Sequence, residues 1–297
     1  MPAEEARIAY AALQQVAELA QTDPVLSCAR PLLLFEQHGI VVTEWLEGPT
    51  LARRIQFGTA RQSAHLVRGA GEWLALLYRG IGLSEQPLPA SAMLEQLENA
   101  IPPGNGIRTH PPLRRALDLL HETLTQVDGE LVLWSQKHGD FKPGNLILAN
   151  GRLAAVDVGL REDGPCGVDA AYFLNHVTAR LALRPGREAA SKRAEAAFLD
   201  GFSGAGLWLA PVPSTWLRLH HGLRVMLGYR SWSRRHFAVV AGVTGSWLVK
   251  RLSNQLAASH DAQVGVRVAQ AQPSVANRKN PDMVFSARPI DGTPKNV

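Results

Sequence analysis

Cysteine is scarce in this chain. Its 297 residues hold two, Cys28 and Cys166, far apart and in no CxxC pairing, which sets aside a zinc site and a disulfide framework. Long apolar runs are missing too. The longest, Phe237–Val249, is too short to cross a bilayer and carries polar breaks, so no membrane span is expected. The opening MPAEEARIAYAAL is acidic and then amphipathic, unlike a signal peptide. Charge of one sign is never concentrated. The net charge is +5 with a pI near 9.5, but Arg and Lys form no block, so nucleic acid is not the expected partner, while an anionic small ligand fits. Together these absences lead to the expectation of a cytoplasmic protein in a reducing setting. What is present is a hydrophobic fraction of 46%, enough for a packed core in one large or two medium domains.

Apolar periodicity predicts a helix over 4–20, then two β-rich runs, PLLLFEQ (31–37) and GIVVTEWLEG (39–48), joined at His38-Gly39 as a hairpin. Helical patterns follow over 50–80, 90–100 and 112–127. A strand, LVLWSQKHGD (131–140), runs into a loop, and NLILANGRLAAVDVG (145–159) reads as a second hairpin with Asn150-Gly151 at its tip. Further helices are expected over 168–181, 188–203, 214–232 and 238–258, and a polar, Pro-rich tail follows. The pattern is α+β, with a small β-containing lobe joined to a mostly helical one. Its expected divisions are 1–48 for a partial small lobe with a hinge at 43–48, 49–260 for the helical lobe, and 261–297 for a disordered tail.

The chemistry is concentrated in HGDFKPGN (138–145) and VDVG (156–159). Phosphoryl transfer asks for a carboxylate to take the proton of the attacking hydroxyl, oxygen ligands for magnesium, and cations on the phosphates. Asp140 at a loop tip can serve as the base. Asn145, five residues on, offers a neutral oxygen, and the hairpin returns the chain so that Asp157 arrives beside it. Lys142 is a point charge close to the base, suited to a γ-phosphate.

With GPCGVDAAYFL (164–174), VVTEWLEGPTL (41–51) and FLDGF (198–202), these motifs resemble the aminoglycoside phosphotransferase family, which with choline kinases and other small-molecule kinases belongs to the protein-kinase-like superfamily. The likeness covers roughly residues 5–202. It implies a two-lobe kinase fold with a truncated small lobe, ATP and Mg2+ as cofactors, and a small-molecule hydroxyl as acceptor. It also implies roles for individual residues: Asp140 as base, Asn145 and Asp157 on magnesium, and the backbones of Glu44 and Leu46 against the adenine. Asp169 would brace the catalytic loop, and Glu5 would sit where family members pair a glutamate with an ATP-binding lysine. Trp45 is expected to pack, and Arg224, Arg230, Arg234 and Arg235 to form a solvated helix face, the lining of an acceptor pocket being the alternative.

A glycine-rich phosphate loop and an ATP-binding lysine are what this family places ahead of the first helix. No GxGxxG-like run precedes residue 4 here, and no lysine occurs before Lys137. The likeness therefore implies an incomplete small lobe with an exposed sheet edge and a chain that is weakly active as written, the fuller protein being longer. A catalytically impaired binding module is the competing expectation. The eleven residues between Asp157 and Asp169 hold no Ser, Thr or Tyr, which sets aside a regulated protein kinase. The excess of Arg over acidic residues in 170–235 leans away from polycationic antibiotics.

Overall fold

Small apolar residues on one face, Ala6, Ala12, Leu13 and Val16, turn helix α1 (Ala3–Thr22) inward. The chain then forms an antiparallel hairpin of β1 (Pro31–Phe35) and β2 (Ile40–Thr43), turned by a short 3-10 segment that ends at Gly39 in the left-handed region, φ 60°. The structure, a computed structural model, describes residues 2–259 except 24, 104–105, 161, 183–185 and 231–244. The expected tail, and Arg234 and Arg235, lie outside the described residues. Of the helix expected over 238–258, residues 245–259 are described and are helical.

Two sequence expectations need correction here. The second strand stops at Thr43 rather than Gly48: one more bond, from Glu44 N–H to the Arg30 carbonyl at 2.9 Å, continues the pairing, and residues 45–48 lie beyond it. The helical run 50–80 is two helices, α2 (Leu51–Phe57) and α3 (Ala60–Ile81). Gly58 ends the first. Thr59 starts the second with a capping box, in which its side chain accepts from Gln62 N–H and Gln62 returns a bond to the Thr59 N–H.

Beyond α3 come β3 (Ser84–Pro87), α4 (Ala90–Asn99), α5 (Gly106–Thr109), α6 (Pro111–Glu122), α7 (Leu124–Val127) and β4 (Leu131–Gln136). Then follow the hairpin β5 (Leu146–Ala149) and β6 (Arg152–Ala155), β7 (Asp163–Pro165), α8 (Gly167–Leu181), α9 (Arg187–Gly204) and α10 (Pro211–Arg230). Strand β4 pairs with β3 on one side and β7 on the other. Neither partner strand is apparent in the sequence, since SEQP and DGP have no apolar alternation. A parallel bridge between Cys28 and Ala155 joins the first segment to the β5–β6 hairpin. The chain through residue 260 forms one unit, and among the described residues no helix is long and apolar enough to cross a membrane.

Beneath the loop that follows β4 lies a row of aromatic rings. Trp73 stacks on Phe141 at 5.6 Å, Phe141 meets Phe173 at 5.1 Å, and Phe173 stacks on Phe198 at 5.1 Å. All four rings are fully buried. The row joins α3, the loop, α8 and α9, so the loop is seated on the core rather than hung from it.

Candidate active site

Asp169 and Tyr172 are one helical turn apart on α8, so both face the loop. The Asp169 carboxylate accepts from His138 N–H at 2.7 Å, Gly139 N–H at 3.1 Å and the Tyr78 hydroxyl at 2.8 Å. This is the bracing expected of it. Burial first, then the Asp169 charge, drives the Tyr78 hydroxyl well above its usual pKa, so it remains a donor. Gly139 takes φ 84°, a left-handed conformation that lets two consecutive N–H groups point at one carboxylate.

Asp140 is held at both oxygens. Tyr172 donates to Oδ1 at 2.8 Å. Lys142 Nζ, at 2.5 Å, and Asn145 Nδ2, at 2.8 Å, both donate to Oδ2. Asn145 Nδ2 also reaches the Asp140 main-chain carbonyl at 3.0 Å. Partial burial pushes the Asp140 carboxyl upward, but the bonds from Lys142, Tyr172 and Asn145 outweigh it and hold the group below its usual range. Asp140 is therefore ionised at neutral pH. A carboxylate offers about four lone-pair sites. Three are taken, and the remaining one is on Oδ1, on the Tyr172 side.

Val156 N–H donates to the Asn145 carbonyl at 2.9 Å, which sets Asp157 next to Asn145. Asp157 takes φ 55°, a left-handed geometry that aspartate tolerates better than most residues. Its carboxylate is exposed and has no hydrogen-bond partner among the described residues.

These groups open onto a cleft of about 900 Å³. One wall, from α1, the segment before β1 and the first hairpin, is lined by Ala9, Leu13, Ala29, Val41 and Thr43 and is apolar but for the threonine hydroxyl. The opposite wall, from α8 and α10, carries Val168, Tyr172, His221 and Arg224. Asp140 and Asp157 line the same cleft. Tyr172 packs edge-on against His176 at 4.7 Å and His221 at 4.8 Å. Burial, reinforced by nearby cations, lowers His176 to about 4 and His221 to about 3, so both are neutral at physiological pH.

The remaining sequence candidates fall in different places. Lys142 bonds the Asp140 carboxylate rather than lining the cleft. At the hinge, the Glu44 N–H is already bonded to Arg30, whereas the Glu44 carbonyl and the Leu46 N–H have no partner among the described residues. Trp45, expected to pack, is 91% exposed, because the chain turns its side chain away from both hairpin and cleft. Glu5 is exposed in the first turn of α1 and is not part of the cleft lining. Arg224 lines the cleft instead of forming only a solvated face. Sequence reasoning gave Tyr172 and His221 no role. The three-residue step from Asp169 to Tyr172 was the available signal for the first; nothing local marks the second.

The sequence matches the family described as "Phosphotransferase enzyme family" over residues 2–186. No curated protein is significantly similar to the chain in sequence. Among solved structures, a glucosamine kinase in complex with glucosamine, ADP and inorganic phosphate is similar with a TM-score of 0.60 and 20% identity, over 83% of this chain and 73% of that one. The amicoumacin kinase hAmiN, in complex with AMP-PNP, Ca2+ and Ami, gives 0.56 and 13%, over 82% and 78%. The choline kinase LicA from Streptococcus pneumoniae gives 0.52 and 14%, over 87% and 84%. Another crystal form of glucosamine kinase is covered over 66% of its length. At these identities the likeness is one of fold, and that fold is the α+β, protein-kinase-like one.

Proposed function

The chain belongs to the phosphotransferase enzyme family, and from that premise we propose that it moves the γ-phosphoryl group of ATP to a hydroxyl of a small molecule, with Asp140 as the base. The observation that supports this most is the Asp140 carboxylate, ionised and fixed by three donors, with one lone pair left on Oδ1 facing a cleft. The acceptor hydroxyl donates to that lone pair. Its proton passes to Asp140 as the oxygen attacks phosphorus. Tyr172 fixes the rotamer of the carboxylate, and Lys142 and Asn145 keep the second oxygen occupied, so the proton has one place to go.

Mg2+ fits the residues present. Asp157 offers an uncommitted carboxylate, and Asn145, with its amide nitrogen spent on Asp140, keeps Oδ1. No group of three or more His, Cys, Asp or Glu able to hold a metal occurs among the described residues. A site of one or two protein oxygens completed by phosphates and water is the habit of magnesium, which when bound draws charge off the transferring phosphate. Neither Glu44 nor Leu46 is in the cleft lining itself, but just beyond the lining residue Thr43 the open Glu44 carbonyl and Leu46 N–H supply an acceptor and a donor for an adenine edge. A cytoplasmic setting, where ATP is plentiful, goes with this reading.

With Lys142 engaged on Asp140 and no lysine before Lys137, turnover by the chain as it stands is expected to be slow. The test is Asp140→Asn. It should lower phosphotransfer by about a hundredfold to ten-thousandfold while leaving the thermal melt and Mg-nucleotide binding in place. An unchanged rate would remove Asp140 from its role.

A further inference from the structure

The charges lining the cleft are almost all committed. Asp169 is spent on two loop N–H groups and Tyr78, and Asp140 on Lys142, Asn145 and Tyr172. Lys137 pairs with Glu162 at 3.2 Å. Asp157 is the open anion assigned above to metal. What remains is Arg224. It lines the cleft from α10 and has no acidic partner among the described residues. Its nearest titratable neighbour in the lining, His221, is one turn back on the same helix and carries no charge at neutral pH.

The position of this arginine follows from the geometry of the base. The lone pair left on Asp140 is on Oδ1, beside Tyr172, and Tyr172 packs against His221. A hydroxyl delivered to that lone pair places the body of the acceptor against the α8–α10 wall, which carries Arg224, and away from the apolar wall of α1 and the hairpin. A guanidinium there, in no ion pair while Asp140 is taken by its donors and Asp157 is assigned to metal, disfavours an amine-bearing acceptor and favours an anion. We propose that Arg224 binds an anionic oxygen group of the acceptor, so that the substrate is a hydroxy compound bearing a carboxylate or a phosphate ester. This rests on the phosphotransferase reading, with Asp140 as base.

The experiment uses the full chain loaded with Mg-ADP and four probes of one ring type: glucose, glucosamine, glucuronate and glucose 1-phosphate. Binding is read by ligand-observed NMR, and transfer from Mg-ATP is read separately. One or both anionic probes should bind roughly tenfold more tightly than the neutral and amine-bearing ones, and whichever of the two leads tells carboxylate from phosphate ester. Arg224→Gln should erase that preference and Arg224→Lys restore part of it, each with an unchanged melting temperature and an unchanged KM for ATP. Glucosamine ahead of both anions, no binding by either anion, or a preference that survives Arg224→Gln overturns the proposal. So does a loss that falls on the KM for ATP, which would place the guanidinium on the nucleotide. Because binding is scored apart from transfer, an Asp140→Asn protein that still transfers phosphate would sink the choice of base while leaving the anion preference to be judged by itself.

Discussion

Asp140 is poised by its neighbours. Its carboxyl lies below the usual range because three donors outweigh its burial, so the acid limb of a pH profile for kcat/KM should lie below the pKa of about 4 typical of a free aspartate. Tyr172→Phe removes one of those donors. The acid limb should then move upward, and kcat should fall more than the ATP KM changes; a profile superimposable on the parent would show that Tyr172 does not act through Asp140. Asp169 is a different case, since its carboxylate is spent on two loop N–H groups and the Tyr78 hydroxyl. Asp169→Asn turns an acceptor for three donors into a group that can satisfy only some of them. A loss of about 3 kcal/mol is expected in urea unfolding, with kcat falling alongside as the loop loosens.

Among the elements, α3 and α9 come into close backbone approach, and two glycines permit it. A Cβ on Gly71 would lie 2.1 Å from the Phe198 carbonyl oxygen, and one on Gly201 would lie 2.0 Å from that of Arg68. Both obstacles are backbone and cannot swing away. Gly201→Ala should therefore cost about 2 kcal/mol or more. Gly69→Ala, on the same helix α3 but with only a Leu153 methyl at 3.5 Å, should be neutral or stabilising by about 0.5–1 kcal/mol. Paired denaturant melts of the two variants decide it. This contrast also shows what the sequence conceals. Periodicity located α1, α4, α8 and α9, and motif spacing located Asp140, Asn145, Asp157 and Asp169, because those signals are local. The glycine contact, the strands SEQP and DGP, and the approach of His221 to Tyr172 arise from chain segments far apart, and no local pattern encodes them.

For the molecule as a whole, a buried ionic network ties the last described helix to the rest. Glu195 on α9 meets Arg218 of α10 at 2.7 Å and Arg251 of the 245–259 helix at 3.0 Å, and both arginines are almost wholly buried. Burial raises the Glu195 carboxyl, but the two arginines outweigh it and keep the group low. Its stabilisation is therefore present above the unfolded pKa of about 4.3 and lost as pH falls through the lowered folded value. Glu195→Gln leaves the Arg218 guanidinium without a carboxylate, while Arg251 keeps Glu188 at 3.2 Å, and about 3 kcal/mol should go with it. His176 and His221 add to the acid sensitivity. Held near 4 and near 3, they gain protons on unfolding once pH drops below about 6.5, and stability should decline by about 1.4 kcal/mol per pH unit for each until their folded values are reached. Urea titrations at several pH values between 7.5 and 4 measure this, and His221→Asn should flatten the slope.

The bonds around Asp140 have a consequence for how the molecule is made. The contact from Tyr172 to Asp140 spans 32 residues and that from Asp169 to His138 spans 31, whereas the Arg68–Asp200 pair across the α3–α9 contact spans 132. Closing the longer loop costs about 1.3 kcal/mol more chain entropy. As the polypeptide leaves the ribosome, the loop carrying His138 and Asp140 and the α8 residues Asp169 and Tyr172 can thus find each other while α9 is still being synthesised. The site is assembled from within a short stretch, and the two-glycine contact is the later event that seals it.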